Sequence, residues 1–262
     1  YRSLTFRKPG PTQINRTEDP DTTGANTLLY VGAGGITVDA GAGDVTIGMP
    51  EGDNVGQRIS VAAAANLSIK NNSSSDLTIN RDFDSRQIGK TTVVTIDGSG
   101  SGGVIFNDHL LDQSSGRVLE LVVNTEGFVR LGHPAGTYTG GTTLDKGTLQ
   151  LGASTDSSGR SALGRGLLAI NGGTLAAYGA ARTATNNITV GDNFTLGGLG
   201  HALTLNGTMN LGGVNREITL GDSAAINGLV YNGGLTINGG SSTLTLGWAN
   251  VFTGETLMNS GS

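Results

Sequence analysis

Along this chain an apolar residue, then Thr or Ser, then another apolar residue recurs as a three-residue unit. It reads LTF at Leu4, ITV at Ile36, VTI at Val45, ISV at Ile59, LSI at Leu67, LTI at Leu77 and VTI at Val94. It returns as ITV at Ile188, FTL at Phe194, LTL at Leu203, ITL at Ile218, LTI at Leu235 and LTL at Leu244. Side chains alternate across a strand, so each unit predicts a short strand with two inward apolar residues and one outward hydroxyl. Thr suits the outward slot because it is β-branched and polar. Gly, Asn or Asp usually comes within the next two residues, where a turn needs positive φ or a local side-chain hydrogen bond. Helix signals are nearly absent, because these punctuating residues leave no window long enough for a helix.

Between Ile188 and Asp222 the pattern restarts in a 15-residue frame. The frame aligns Ile188 with Leu203 and Ile218, Val190 with Leu205 and Leu220, and Phe194 with Met209 and Ala224. It also aligns Leu196 with Leu211 and Ile226, and Leu199 with Val214 and Leu229. Five inward positions per unit, with polar or Gly residues between them, predict one rung of a three-sided β-solenoid. One rung buries too little to stand alone, so the units must stack, each strand pairing with the rungs above and below. At about 20–25 residues per rung with loops counted, the chain makes roughly 10–13 rungs, a rod on the order of 50–60 Å long at about 4.8 Å per layer.

Composition narrows the function classes. Of 262 residues 45 are Gly, 14% are charged and the formal net charge is −5, so no basic run exists to hold a phosphate backbone. No transmembrane helix is expected, since no apolar run approaches the length a span needs. There are no cysteines, which excludes disulfides and thiolate metal sites. Beginning at Tyr1 without a signal peptide, the chain reads as a segment of a longer one. Residues 1–262 are expected to form a single solenoid segment. An irregular arm covers 8–27, where Pro9, Pro11 and Pro20 argue against ladder pairing.

The stretch TYTGGTTLDKGTLQLG, Thr137–Gly152, resembles the autotransporter-associated β-strand repeat, also called the passenger-associated transport repeat. The next segment, SALGRGLLAINGGTLAAYG, is similar to the family's usual continuation, and a second copy begins as VFTGETLMNSGS at 251–262. In that alignment Tyr138 corresponds to Phe252, Thr142 to Thr256 and Gly147 to Gly261. The resemblance implies a right-handed parallel β-helix from a secreted or surface-attached bacterial protein. It implies a stalk, adhesin or fibre subunit more than a catalyst.

The candidate chemistry is sparse. GAGDVTIG at Gly41–Gly48 has something of a calcium-binding nonapeptide but lacks its leading glycines and its tandem recurrence. RTEDPD at Arg16–Asp21 clusters three carboxylates in a loop. Asp82 and Asp84, flanked by Arg81 and Arg86, read as a solvated loop, and Asp108 and Asp112 flank His109. Paired carboxylates of this kind could serve polysaccharide cleavage. None of His109, His133 and His201 shows metal-ligand spacing. No catalytic, cofactor or metal site is assigned and no cofactor is expected. The expectation is a non-enzymatic extracellular structural or adhesive protein, with a polysaccharide-active lyase or hydrolase as the alternative. Its partners would be copies of itself, stacked head to tail, or cell-surface or matrix components, and not nucleic acid.

Overall fold

The computed structural model describes residues 1–14, 27–49, 59–112 and 114–261, and every regular element among them is a β-strand. The strands pair in parallel with the stretch of chain one return away. One column runs through Leu4, Ile36, Ile69, Ile96, Val123, Leu144, Ile170 and Val190. It continues through the layers of Met209, Val230 and Val251. A second column runs through Thr12, Val45, Leu77, Val104, Val129, Leu149, Leu175, Leu196 and Leu220, then Ile237 and Met258. Each column therefore crosses eleven layers. The alternation is visible in burial: Ile36–Val38, Val45–Ile47, Ile188–Val190 and Leu203–Leu205 all read buried, half-buried, buried. Ile36, Ile69, Ile96, Val123, Leu144 and Ile170 are fully buried.

The right-handed parallel β-helix, or β-solenoid, expected from the sequence is not what the structure shows, on two counts. First, the 15-residue frame does not stack. Ile188 pairs with Met209 and Met209 with Val230, a return of 21 residues. Leu203 belongs to a different sheet, between Arg182 and Ala224, and Ile218 pairs with Phe194 and Ile237. The three residues aligned by the frame thus occupy three different walls. Every wall carries the same apolar–Thr–apolar code, so a repeat in composition need not match the repeat in pairing.

Second, the walls are not separate ribbons. The ten-residue strand Thr142–Leu151 pairs at one end with Leu168–Ile170 and at the other with Thr174–Ala177. Those two pair with Ile188–Val190 and Phe194–Leu196, and both of these pair with the twelve-residue strand Met209–Leu220. Six parallel strands thereby close into a ring. Long strands that turn a corner without breaking merge two walls into one 17-stranded sheet. The third wall is split into two four-stranded sheets. One holds Thr27–Val31, Ile59–Ala63, Phe83–Ser85 and Leu110–Leu111. The other holds Arg182–Ala184, Leu203–Leu205, Ala224–Ile226 and Leu244–Leu246.

The return length also varies. It is 32 or 33 residues where Leu4, Thr12 and Leu28 meet Ile36, Val45 and Ser60, and 27 where Leu67 and Leu77 meet Val94 and Val104. Towards the other end it is 20 or 21 between Leu203, Ala224 and Leu244. The expected arm at 8–27 is corrected in part, because Thr12–Ile14 is a strand paired with Val45–Ile47. Residues 15–26, with the carboxylates of Arg16–Asp21, lie outside the described residues.

The two copies of the resemblance motif do not occupy equivalent places. Thr142 begins a strand in the first column, beside Leu121, whereas Thr256 begins one in the second, beside Leu235. Tyr138 is fully buried, while its counterpart Phe252 is only partly so.

Corners are closed by polar side chains that satisfy backbone groups. Buried Asn71 donates to the Ser75 and Gly103 carbonyls and accepts from Ser73 N–H. At Gly197–Gly200 positive φ at Gly197, Gly198 and Gly200 turns successive N–H groups towards one point. Asp222 Oδ2 sits there, accepting from Gly198, Leu199 and Gly200 at 2.6, 2.8 and 2.9 Å. Desolvation pushes the Asp222 pKa up, but these backbone donors outweigh it and the net shift is downward. A lowered folded-state pKa contributes stability above the unfolded value, near 3.9, and loses it as pH falls through the folded one. We therefore expect Asp222→Asn to cost about 1 kcal/mol at pH 7, discounted for its exposure. The gap from wild type should close in urea titrations as the pH falls below the ordinary carboxylate range. A gap independent of pH would reject the assignment.

Candidate functional site

Chemistry-bearing side chains converge at one corner of the third wall. Phe83–Ser85 and Leu110–Leu111 are adjacent strands there, with Phe83 N–H donating to the His109 carbonyl at 2.8 Å. This ladder sets Asp82, just before the first strand, over His109, just before the second. His133 comes at the end of the next long strand, Arg117–Leu131. The intervals from Asp82 to His109 and from His109 to His133 are close to one return of the chain, which explains why residues so separated in sequence meet.

His109 Nδ1 lies 2.6 Å from Asp108 Oδ1 and 3.0 Å from Asp82 Oδ1. The His109 and His133 rings lie 3.8 Å apart, centroid to centroid, tilted by 45°. His133 Nδ1 accepts from Ala135 N–H at 3.2 Å. Asp108 Oδ1 also accepts from His109 N–H. Burial raises the Asp82 pKa, and the neighbouring Asp108 carboxylate raises it further against the opposing effect of His109. The corner is a half-buried group of two carboxylates and two imidazoles, with ligand atoms of Asp108, His109 and His133 within 4.8 Å of one another.

The other residues considered from the sequence are used structurally. Asp84 does not lie in a solvated loop, because its side chain is 1% exposed and pairs with Arg86 through Nε at 2.7 Å and Nη2 at 2.8 Å. Asp112 accepts from Leu119 N–H and from Thr139 Oγ1. It belongs to the next layer's backbone and not to the histidine pair. Asp44, within Gly41–Gly48, accepts from Asp76 N–H. His201 stands at the Asp222 corner, where its backbone N–H joins the donors to that carboxylate. Sequence reasoning names His133 and Asp82 but does not bring them together. Their spacing is informative only once the return length is known.

Among the described residues no helix is long and apolar enough to cross a membrane. No family model, no curated protein and no solved structure matches the chain. Nothing therefore identifies it as a member of the repeat family it resembles, and nothing supports the extracellular or adhesive character expected from that resemblance.

Proposed function

We propose that the chain is a non-enzymatic structural spacer. The observation that carries this reading is parallel pairing through eleven layers, from Leu4–Phe6 to Thr256–Ser260. At about 4.8 Å per layer this amounts to a rod of roughly 50 Å. Its outward positions are mostly Thr, Ser and Asn, including the stacked pairs Asn206–Asn227 and Asn238–Asn259. Such a surface suits solvation and spacing better than turnover.

The last described layer exposes Trp248, Val251, Leu257 and Met258 at 66, 57, 44 and 52%. The strand Thr256–Ser260 has all five side chains exposed. An apolar surface beside a strand edge that is unpaired among the described residues fits a further layer of the same kind, whether from the same chain or from a second copy stacked head to tail.

Electron microscopy of the purified chain should show rods about 50 Å long or multiples of that length, and incubation with pectin or alginate should release no new chain ends. Compact globules would reject the spacer. Cleavage lost on Asp82→Asn or Asp108→Asn would replace it with the polysaccharide-active reading.

A further inference from the structure

The corner at Asp82, Asp108, His109 and His133 has more chemistry than a spacer needs. We propose that Asp108, His109 and His133 bind a first-row transition-metal dication, zinc being the natural probe, with Asp82 orienting His109.

Four observations carry this. The donor set comes first: two imidazoles and a carboxylate suit zinc and its neighbours, whereas calcium and magnesium take oxygen donors alone. Geometry is second. Ligand atoms around a tetrahedral zinc with bonds of about 2.0–2.1 Å lie about 3.3 Å apart. The three candidate atoms here already lie within 4.8 Å of one another, on side chains that are only half-buried. Small side-chain rotations complete the approach and leave a position open to water.

Charge is third. Asp82 and Asp108 both face His109 Nδ1, at 3.0 and 2.6 Å, and one N–H cannot serve both fully. The corner therefore holds excess negative charge that a dication offsets. Fourth is orientation. Asp82 Oδ1, 3.0 Å from His109 Nδ1, stands beside the ring as carboxylates do behind metal-binding histidines. His133 Nδ1 accepts from Ala135 N–H at 3.2 Å. A bond of that length yields to a cation. The stacked layers fix the backbones from which these groups hang, so little ordering is left for the metal to impose.

The test is calorimetric titration of zinc chloride into the full chain at pH 7.5, with cobalt(II) absorption as a second readout. One zinc per chain is expected, with visible d–d bands for cobalt and a rise in Tm on zinc addition. His133→Gln and Asp108→Asn should each weaken zinc at least tenfold and abolish the Tm rise. Asp82→Asn should weaken it less, and His201→Gln should leave it unchanged. Asp108→Asn is nearly isosteric and gives the answer even where His133→Gln does not fold. The proposal is overturned by a wild-type chain that binds no zinc. It is equally overturned by folded variants that bind as wild type does, or by an equal loss in His201→Gln.

Discussion

Leu205→Asp is expected to abolish folding of the wild-type architecture, while Thr204→Asp, one residue away, is tolerated. Leu205 is fully buried, aligned with Ala184 below and Ile226 above. A carboxylate there loses the roughly 1.5–3 kcal/mol of apolar burial. It also meets a desolvation penalty of several kcal/mol with no cation in reach. Together these match the 5–15 kcal/mol that holds a typical domain. Thr204 points the other way and is half-buried in the same strand. Its replacement by Asp forfeits only β-propensity, about 1 kcal/mol. Urea denaturation monitored by circular dichroism distinguishes the two, and comparable losses would contradict the alternation on which the core rests.

Tyr138→Ala should cost about 3–5 kcal/mol, the usual range for removing a buried aromatic ring. Tyr138 is among the largest fully buried side chains. It packs so closely on Gly164 that a Cβ there would sit 2.5 Å from the Tyr138 carbonyl and 2.9 Å from the ring. Its hydroxyl lies 2.6 Å from Thr142 Oγ1 and 3.4 Å from the Ala162 carbonyl, and burial raises its pKa well above the ordinary phenol value. Tyr138→Phe keeps the ring and removes the hydroxyl with both contacts, so about 1–2 kcal/mol is expected. Phe252, its counterpart in the motif, is only partly buried, and Phe252→Ala should cost less than Tyr138→Ala. Thermal melts of the three variants order these effects. A Tyr138→Ala variant as stable as wild type would mean that the ring does not support the core around Gly164.

The strands are legible in the sequence because the apolar–Thr–apolar code is local. Ile36–Val38, Val45–Ile47, Leu77–Ile79, Ile188–Val190 and Leu203–Leu205 stand where that code places them. Which strand lies on which is not legible. The code is the same on every wall, so Ile188, Leu203 and Ile218 look equivalent although they pair in different places. Long strands turn corners within Thr142–Leu151 and Met209–Leu220, where positive-φ Gly147, Gly212 and Gly213 bend the chain without ending the strand, so the glycines read as loops. The histidine corner is hidden for the same reason, since metal-ligand spacing in sequence presumes ligands on one helix or loop, whereas here it tracks the return of the chain. Asp84 misleads because a stretch rich in charge looks solvated, and only the Arg86 pairing shows otherwise.

The unequal return length has a mechanical meaning. Each layer is held to the next by ladder hydrogen bonds, and a load applied at the two termini strips layers from the ends instead of shearing the whole stack at once. A detached layer lengthens the tether by its own contour, at about 3.5 Å per residue. Near Ala224 and Leu244, where a return is 20 residues, that release is on the order of 7 nm. Near Leu4 and Ile36, where it is 32, it is on the order of 11 nm. Under such a load the unequal returns give shorter increments from the Thr256–Ser260 end of this stack than from the Leu4–Phe6 end.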